Sequence, residues 1–440
     1  MSKGKSIERA YTSEISERDD GKTVLVKGWV HETRDLSKIR FLVLRDIAGI
    51  VQVTAIKDKT PKEVFEIITK IPHESAVAVE GKVKKSKQAP LGREILPDKI
   101  EILAKAEGKL PIDISDFSKT ELPKRLDYRY LDLHNSRTQA IFKIQSEIST
   151  SFREFFKNEK FIEIQPPSII SSASEGGTEL FPVMYFEKPA FLAQSPQLYK
   201  QMAACSLERV FCLTPVWRAE KHNTVRHLNE SRQMDIEMAF ADEFKVMDLL
   251  AKSVQHIVKQ VKEKYGRELE KLKINLIIPK EKYLTYDETV KLLKKNKVKI
   301  EHGDDLPPEG EKKLCEIFPD TIVFIHDWPA ELKPFYIMPK SPEKNEKDSK
   351  ISRGFDAVYN GMEISSGGQR VHIPKLLEER LKAKGLNPKN FESYIDSFRY
   401  GSPEHAGWSI GLERFTMALL KLENIREACL FPRDRDRLTP

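Results

Sequence analysis

At 440 residues the chain exceeds what one hydrophobic core ordinarily organises, so two or three domains are expected. Hydrophobic residues at 40% and charged residues at 32% fit a globular chain with a charged surface, and no apolar run approaches the roughly 18 residues of a membrane span. The formal charge of +7 permits a polyanionic partner without establishing one, and the start MSKGKSIERAY lacks the apolar core of a signal peptide. A cytoplasmic location is the expectation.

The first stretch, residues 1–105, reads as short strands: KTVLVKGWVHETRD, IRFLVLRDIAGIVQVTA, ESAVAVEGKVKKSK and REILPDKIEILAKA. Their alternation, broken by Gly21, Gly49, Gly81 and Gly92, predicts a small closed β-barrel. TPKEVFEIITKI predicts one helix inside it. Five strands with a helix between the third and fourth is the layout of an OB-fold, a common binder of single-stranded nucleic acid. A generic barrel without that role fits the same pattern.

Residues 106–135 hold Pro111 and Pro123 and few periodic apolar positions, so they read as a linker or hinge. The next stretch, QAIFKIQSEISTSFREFFKNEK, carries Ile141, Ile144, Ile148, Phe152 and Phe155 at helical spacing, then passes into the extended FIEIQPPSII. Helical and strand-like runs then alternate to the end, which predicts an α+β domain over 136–440 with an insertion around 244–350. KSPEKNEKDSK is most simply a solvated loop. Cys205, Cys212, Cys315 and Cys429 show no C-x-x-C spacing, so reduced thiols are expected rather than a zinc site.

Three constellations carry chemistry. In RVFCLTPVWRAEKHNTVRHLNESRQMDIEMAF, a predicted hairpin presents Arg218, Glu220, Arg226 and His227, with Asp235 and Glu237 on its second strand. Phosphoryl and nucleotidyl transfer need cations where charge develops on phosphate oxygens, and guanidinium meets those oxygens two at a time. Surface ion pairing would account for any one of these residues but poorly for the set. In YNGMEISSGGQRVH, Glu363 and Ser366 offer hard oxygens suited to magnesium, Gly367 and Gly368 clear space, and Arg370 supplies a cation. In AGWSIGLERFTMALL, Gly407 and Gly411 let backbone approach a ligand and Glu413-Arg414 opens a helix, a weakly specific pattern alone.

In this order the three resemble the motifs of class II aminoacyl-tRNA synthetases: FIEIQPPSII (with Pro167), WRAEKHNTVRHL and GLERF. The likeness is nearer still to the archaeal-type aspartyl and asparaginyl branch, through GWVHETRDL, IAGIVQV, SASEGGTELFPV, FLAQSPQLYKQ, MEISSGGQR, FRYGSPEHAGW and FPRDRDRLTP. It implies an N-terminal OB-fold that reads an anticodon and a catalytic domain built on an antiparallel sheet flanked by helices. It implies Arg218, Glu220 and Arg414 as catalytic. ATP is expected against Arg218, Glu220, Arg226, His227, Leu228, Glu363, Gly411, Leu412, Glu413 and Arg414. Magnesium would be held by Asp356 and Glu363, with Ser366 a further ligand. Two departures stand out: Ser231 occupies a position where many relatives stack an aromatic ring on adenine, and Ser409 replaces a common glycine.

For the amino acid, the resemblance implies a pocket of Glu175, Gln197, Lys200, Arg218, Asp235, Ser366 and Arg370. Lys200 and Arg370 suit the side-chain carboxylate of L-aspartate, Asp235 tethers the lysine, and Glu175 meets the ammonium. A surface Lys200 is the bland alternative. Rival functions are an asparaginyl-tRNA synthetase of the same architecture, an ammonia-dependent asparagine synthetase, and a non-catalytic tRNA-binding paralogue. On the barrel, the resemblance implies Phe41 stacking on the central anticodon base, with Gln52 and Glu94 at its neighbours. His31 and Pro90 stand where enzymes restricted to tRNA(Asp) tend to carry tryptophan and lysine, which implies charging of tRNA(Asn) as well as tRNA(Asp). A homodimer paired through the long helix from Ile141 to Phe156 and FIEIQPP is expected.

Overall fold

The computed structural model describes residues 7–171, 180–340 and 350–440. The chain divides into two compact units, Met1–Pro111 and Ile112–Pro440.

In the first unit β1 (Thr23–Asp35), β2 (Ile39–Arg45), β3 (Ile50–Ile56), β4 (Ala76–Lys85) and β5 (Arg93–Ala104) close a barrel in the order β1-β2-β3-β5-β4. The short helix α1 (Lys62–Ile67) lies between β3 and β4, as the pattern predicts. Alternation decides which side chains enter: Leu42, Leu44, Val51, Val53, Val77 and Val79 are buried, while Phe41, Val43 and Gln52 turn outward and are half-buried. Gly81, expected at a break between strands, instead sits inside β4. A Cβ there would fall 2.2 Å from the Leu96 carbonyl oxygen, so glycine permits β5 to pass at a register shift.

The second unit opens with two short helices, α2 (Leu122–Asp127) and α3 (Arg129–Asp132), inside the stretch expected as a linker. What orders them is a charge rather than an apolar stripe. Arg129 is fully buried; its Nη1 donates to Asp132 (2.6 Å), and the rest of its guanidinium donates to the carbonyls of Arg426, Glu427, Cys429 and Leu430. Helix α4 (Ser136–Asn158) follows, its first turn capped by Asn135.

An eight-stranded sheet forms the centre, in the order β12-β13-β14-β15-β16-β11-β10-β6. Its strands are β6 (Ile162–Glu163), β10 (Arg209–Trp217), β11 (Glu230–Ala239), β12 (Lys280–Thr285), β13 (Thr321–His326), β14 (Gly354–Tyr359), β15 (Met362–Gln369) and β16 (His405–Gly411). It is antiparallel except at its two edges, where β12 pairs with β13 and β6 with β10 in parallel. A small sheet of β7 (Ile169–Ile170), β8 (Pro182–Tyr185) and β9 (Lys188–Leu192) stands apart in sequence between β6 and β10.

The register gives this sheet two chemically different faces. Phe211, Ile236, Trp408, Gly367 and Phe355 are successive partners across five strands and point to the core. The next row, Cys212, Asp235, Ser409, Ser366 and Asp356, points the other way and is polar apart from its thiol end. On the core side pack α4, α6 (Glu243–Lys264) and α12 (Leu412–Leu420). On the polar side lies α5 (Gln197–Leu207), whose partly buried Leu198, Met202 and Cys205 join a second cluster with Leu376, Leu377 and Tyr394. Residues 243–340, most of the stretch expected as an insertion, supply α6 and the strands β12 and β13 to this architecture.

One face of α4 packs inward. Ile141, Ile144, Ile148, Phe152 and Phe156 are buried within their own chain, with the Phe156 ring 5.6 Å from Trp408. That face is therefore consumed by the core of its own subunit and is not available to a partner. No helix among the described residues is long and apolar enough to cross a membrane.

Candidate active site

Above the polar row opens a cavity of about 360 Å³. Its wall collects Gln197 and Lys200 from α5, Arg218, Glu220, Arg226, His227 and Leu228 from the end of β10 and its loop, and Asp235 from β11. Glu363 and Ser366 on β15, Arg370, Gly411 at the end of β16, and Glu413 and Arg414 on α12 complete it. Residues spread over more than two hundred positions thus meet at one place.

At one end two buried cations are each backed by a carboxylate. Lys200 Nζ lies 2.6 Å from Asp235 Oδ1 and 3.6 Å from Glu237 Oε2, and donates to the Trp408 carbonyl at 3.3 Å. Arg370 donates through Nε (2.8 Å) and Nη2 (3.2 Å) to the two oxygens of Glu237. Burial alone would push the Glu237 carboxyl upward; the Arg370 and Lys200 charges overcome it and hold the group below its usual value. The sequence motifs place Glu237 on the strand without giving it a role, although its period-two spacing from Asp235 puts both carboxylates on one face. The hydroxyl of Ser409 donates to Asp235 Oδ2 at 3.1 Å, so the departure at that position adds a bond to the anchor.

Glycines here serve the protein rather than a ligand. A Cβ on Gly407 would lie 2.3 Å from Glu237 Oε2, so the position holds open the space that the anchoring carboxylate fills. Gly367 makes room for Trp408 and Phe355, and Gly368 for the Arg353 carbonyl. Gly367 and Gly411 also line the cavity, the latter with only Arg414 Cβ nearby at 3.6 Å.

Gln197 is held from behind. Its amide nitrogen donates to Gln201 Oε1 (2.7 Å), which also accepts from the Tyr394 hydroxyl (2.8 Å). Burial pulls the His405 imidazole down to about 4, so the ring is neutral; its Nε2 accepts from the Gln201 amide while Nδ1 donates to the Pro403 carbonyl. With its nitrogen so engaged, Gln197 presents its carbonyl oxygen to the cavity. Nothing in the sequence pattern singles out Gln201, Tyr394 or His405.

At the other end the cations are less enclosed. Arg218 Nη1 is 3.9 Å from Glu220, and His227 Nε2 is 3.9 Å from the same carboxylate. Asn229 fixes this loop by donating to the carbonyls of Arg218 (2.7 Å) and Glu220 (3.0 Å). Arg226 is tied to Glu311 of α9 (Pro308–Ile317) at 2.8 Å and to the Gly361 carbonyl. Glu413 accepts from the Arg232 backbone N–H at 2.9 Å, and burial raises its carboxyl to about 7.

Two expected residues do not face the cavity: Leu412 is buried beneath it, and Asp356 lies behind it, bound at 2.6 Å by Lys333. Glu175 and most of the 340–350 loop lie outside the described residues. For a divalent ion, the donor chemistry fits. Asp356 and Ser366 are direct partners between β14 and β15, and the Glu363 carboxyl is raised to about 7 by burial and by the charge of Asp356. Two crowded carboxylates and a hydroxyl suit a cation that takes its remaining ligands from phosphate. Among the described residues no cluster of three acidic, His or Cys side chains forms a closed cage.

On the barrel, Gln52 and Glu94 are partners in the β3–β5 pairing, bonded at 3.2 Å, and Thr54 donates to the same Glu94 oxygen at 2.6 Å. Phe41 pairs with Thr54, so these groups share one outward face. His31 sits at a register shift in β1, its Nδ1 accepting from Arg45 Nη1 at 3.2 Å, while Arg45 bonds Glu74 at 2.7 Å. Pro90 opens the turn Pro90–Gly92 that leads into β5.

A sheet that aims buried cations and guanidinium groups into one nucleotide-sized cavity, in a chain carrying a five-stranded barrel, defines a class of tRNA-charging enzyme. Residues 121–435 match the tRNA synthetases class II (D, K and N), residues 24–103 match the OB-fold nucleic acid binding domain, and the chain belongs to that synthetase family. It is 48% identical to the aspartate–tRNA(Asp/Asn) ligase of Methanocaldococcus jannaschii, with 98% of each chain covered. It is 49% identical to the aspartate–tRNA(Asp) ligase of Pyrococcus furiosus, over 98% of this chain and 99% of that one. Among solved structures it resembles the asparaginyl-tRNA synthetase of Pyrococcus horikoshii, at 35% identity and a TM-score of 0.93, over 99% of this chain and all of that one.

Proposed function

We propose that this enzyme activates L-aspartate with ATP and transfers it to tRNA(Asp) and to tRNA(Asn). The observation that carries the amino-acid assignment is the buried Lys200 and Arg370 pair, each already anchored to a carboxylate and each lining the cavity. A ligand carboxylate between them gains two charge-assisted partners, whereas a neutral amide oxygen gains weaker ones and its NH2 group would be turned toward cationic donors. The asparaginyl alternative, which the structural resemblance keeps in view, is disfavoured on that ground.

In the activation step a carboxylate oxygen of aspartate attacks the α-phosphorus, a P–O bond forms, and the bond to the bridging oxygen breaks to release pyrophosphate. Arg218 meets the α-phosphate and the reacting carboxylate, Arg414 lies on the other side of the nucleotide, and Arg226 and His227 take the outer phosphates. Gln197 accepts from the substrate ammonium, with Glu175 as its charged partner. Glu220 holds Arg218 and meets the adenine side. The protein forms no covalent bond; it positions the reactants and offsets developing charge. Magnesium, bound through Glu363 and Ser366 with Asp356 behind them, would neutralise phosphate charge when present.

The tRNA assignment rests on His31 and Pro90. A small imidazole, and a proline without a cationic side chain, admit uracil as well as cytosine at the third anticodon base; stacking on Phe41 is tolerant of base identity. Charging of tRNA(Asp) and tRNA(Asn) transcripts under identical conditions is expected to differ by less than tenfold, roughly 1.4 kcal/mol. The His31→Trp, Pro90→Lys double variant is expected to lose tRNA(Asn) selectively. A hundredfold or greater preference in the unmodified enzyme, roughly 2.7 kcal/mol, would overturn the dual assignment. A cytoplasmic location, with the tRNA pool, goes with this reading.

A homodimer is part of this reading, paired through the FIEIQPP stretch of the expected surface and its exposed neighbours. Ile162 on the edge strand β6, Ile169 on β7, Leu207, and Met184 and Phe186 at the β8–β9 hairpin are each 44% exposed or more. Apolar groups on short edge strands suit a large obligate interface. Sedimentation at micromolar concentration should give twice the 50.7 kDa chain mass; a single-chain mass would remove the dimer.

A further inference from the structure

A further cation reaches the cavity from outside all three sequence motifs. Lys333, between β13 and β14, is 8% exposed, lines the cavity, and places Nζ 2.6 Å from Asp356 Oδ2. Its ammonium also lies 4.1 Å above the Trp328 ring, and that ring is fixed by a bond from Nε1 to the Ile325 carbonyl at 2.9 Å. Gly354 leaves room for the lysine stem: a Cβ there would stand 3.1 Å from Lys333 Cγ. The ammonium is therefore built into the wall by an ion pair, an aromatic face and a cleared path. It is not a surface lysine folded inward.

We propose that Lys333 is the resident counter-ion of the Asp356 and Glu363 carboxylates and keeps a divalent cation out until a nucleoside triphosphate brings one. The inference rests on reading those carboxylates as the divalent-ion donors. A hard cation seeks the oxygens that Lys333 already neutralises, and an ammonium beside Asp356 repels any dication approaching it. The triphosphate changes the balance. Its charge attracts the dication, and it offers Lys333, already at the cavity wall, phosphate oxygens as a second set of partners. Metal binding thereby becomes conditional on nucleotide, and an empty enzyme does not accumulate ions between its carboxylates.

The test is Mn2+ binding followed by electron paramagnetic resonance, with α,β-methylene-ATP as the uncleavable nucleotide. The unmodified enzyme should bind Mn2+ at least about tenfold more tightly with the nucleotide than without it, after correction for Mn2+ held by nucleotide alone. Lys333→Met should gain about tenfold in nucleotide-free Mn2+ affinity, Lys333→Arg should behave as the unmodified enzyme, and adding Asp356→Asn to Lys333→Met should erase the gain. Equal Mn2+ affinity with and without nucleotide in the unmodified enzyme overturns the inference without recourse to any variant. So does a folded Lys333→Met that gains nothing while the nucleotide still recruits Mn2+ to the unmodified protein; the metal reading then stands alone. Failure of the unmodified enzyme to bind Mn2+ even with the nucleotide removes both.

Discussion

Lys200→Leu should abolish aspartate-dependent pyrophosphate exchange, with a loss exceeding about 10³-fold, or roughly 4 kcal/mol. The ammonium it removes sits 2.6 Å from Asp235 and 3.6 Å from Glu237. Its loss withdraws one partner from the substrate carboxylate and leaves anionic repulsion in its place. Arg370→Leu should do the same, because Glu237 then faces the cavity without its guanidinium. Neither residue belongs to the end of the cavity assigned to the phosphates. Binding of α,β-methylene-ATP, measured by calorimetry, should therefore stay within about threefold of the unmodified enzyme. Near-normal exchange in either variant would show that the aspartate side chain lies elsewhere. Equal loss of nucleotide binding would show instead that the whole sheet had rearranged.

Arg129→Leu is expected to destabilise the second unit by about 3–5 kcal/mol without touching the cavity. The guanidinium is fully buried, pairs with Asp132, and serves four carbonyls of the segment 426–430. Leucine fills much of the volume and satisfies none of those acceptors, and it strands the Asp132 charge beside Arg125 alone. Arg129→Lys should recover little, since one ammonium cannot address acceptors spread around a planar fork. Urea unfolding followed by circular dichroism measures the difference. A midpoint unchanged in Arg129→Leu would mean that water replaces the guanidinium at no cost.

Much of the candidate site was legible because its chemistry is carried by charged residues in short, ordered strings. Arg218, Glu220, Arg226 and His227 lie within ten positions, and a strand's period of two places Asp235 and Glu237 on one face. Three features escaped because their partners are distant in sequence. Lys333 meets Asp356 twenty-three residues on, Arg226 meets Glu311 eighty-five residues on, and Arg129 meets carbonyls about three hundred residues on. The glycines misled for a related reason. A glycine in a motif announces that something approaches closely, but only the sheet register reveals that at Gly407 the visitor is Glu237.

Local alternation and helical spacing, which depend on neighbours within a few residues, determined the barrel, the long helix α4 and the polar strings that carry the chemistry. Which surfaces α4 covers was decided only by tertiary packing, since an apolar stripe is equally satisfied by its own core or by a partner. The same holds for the charges. A sequence shows that Lys200, Arg370, Asp235 and Glu237 are present, but burial and ion pairing arise from strand order. The pairing of β11 with β16, and of β16 with β15, brings Asp235 and Glu237 beside Arg370, and α5 packed on that face adds Lys200 to the same buried corner.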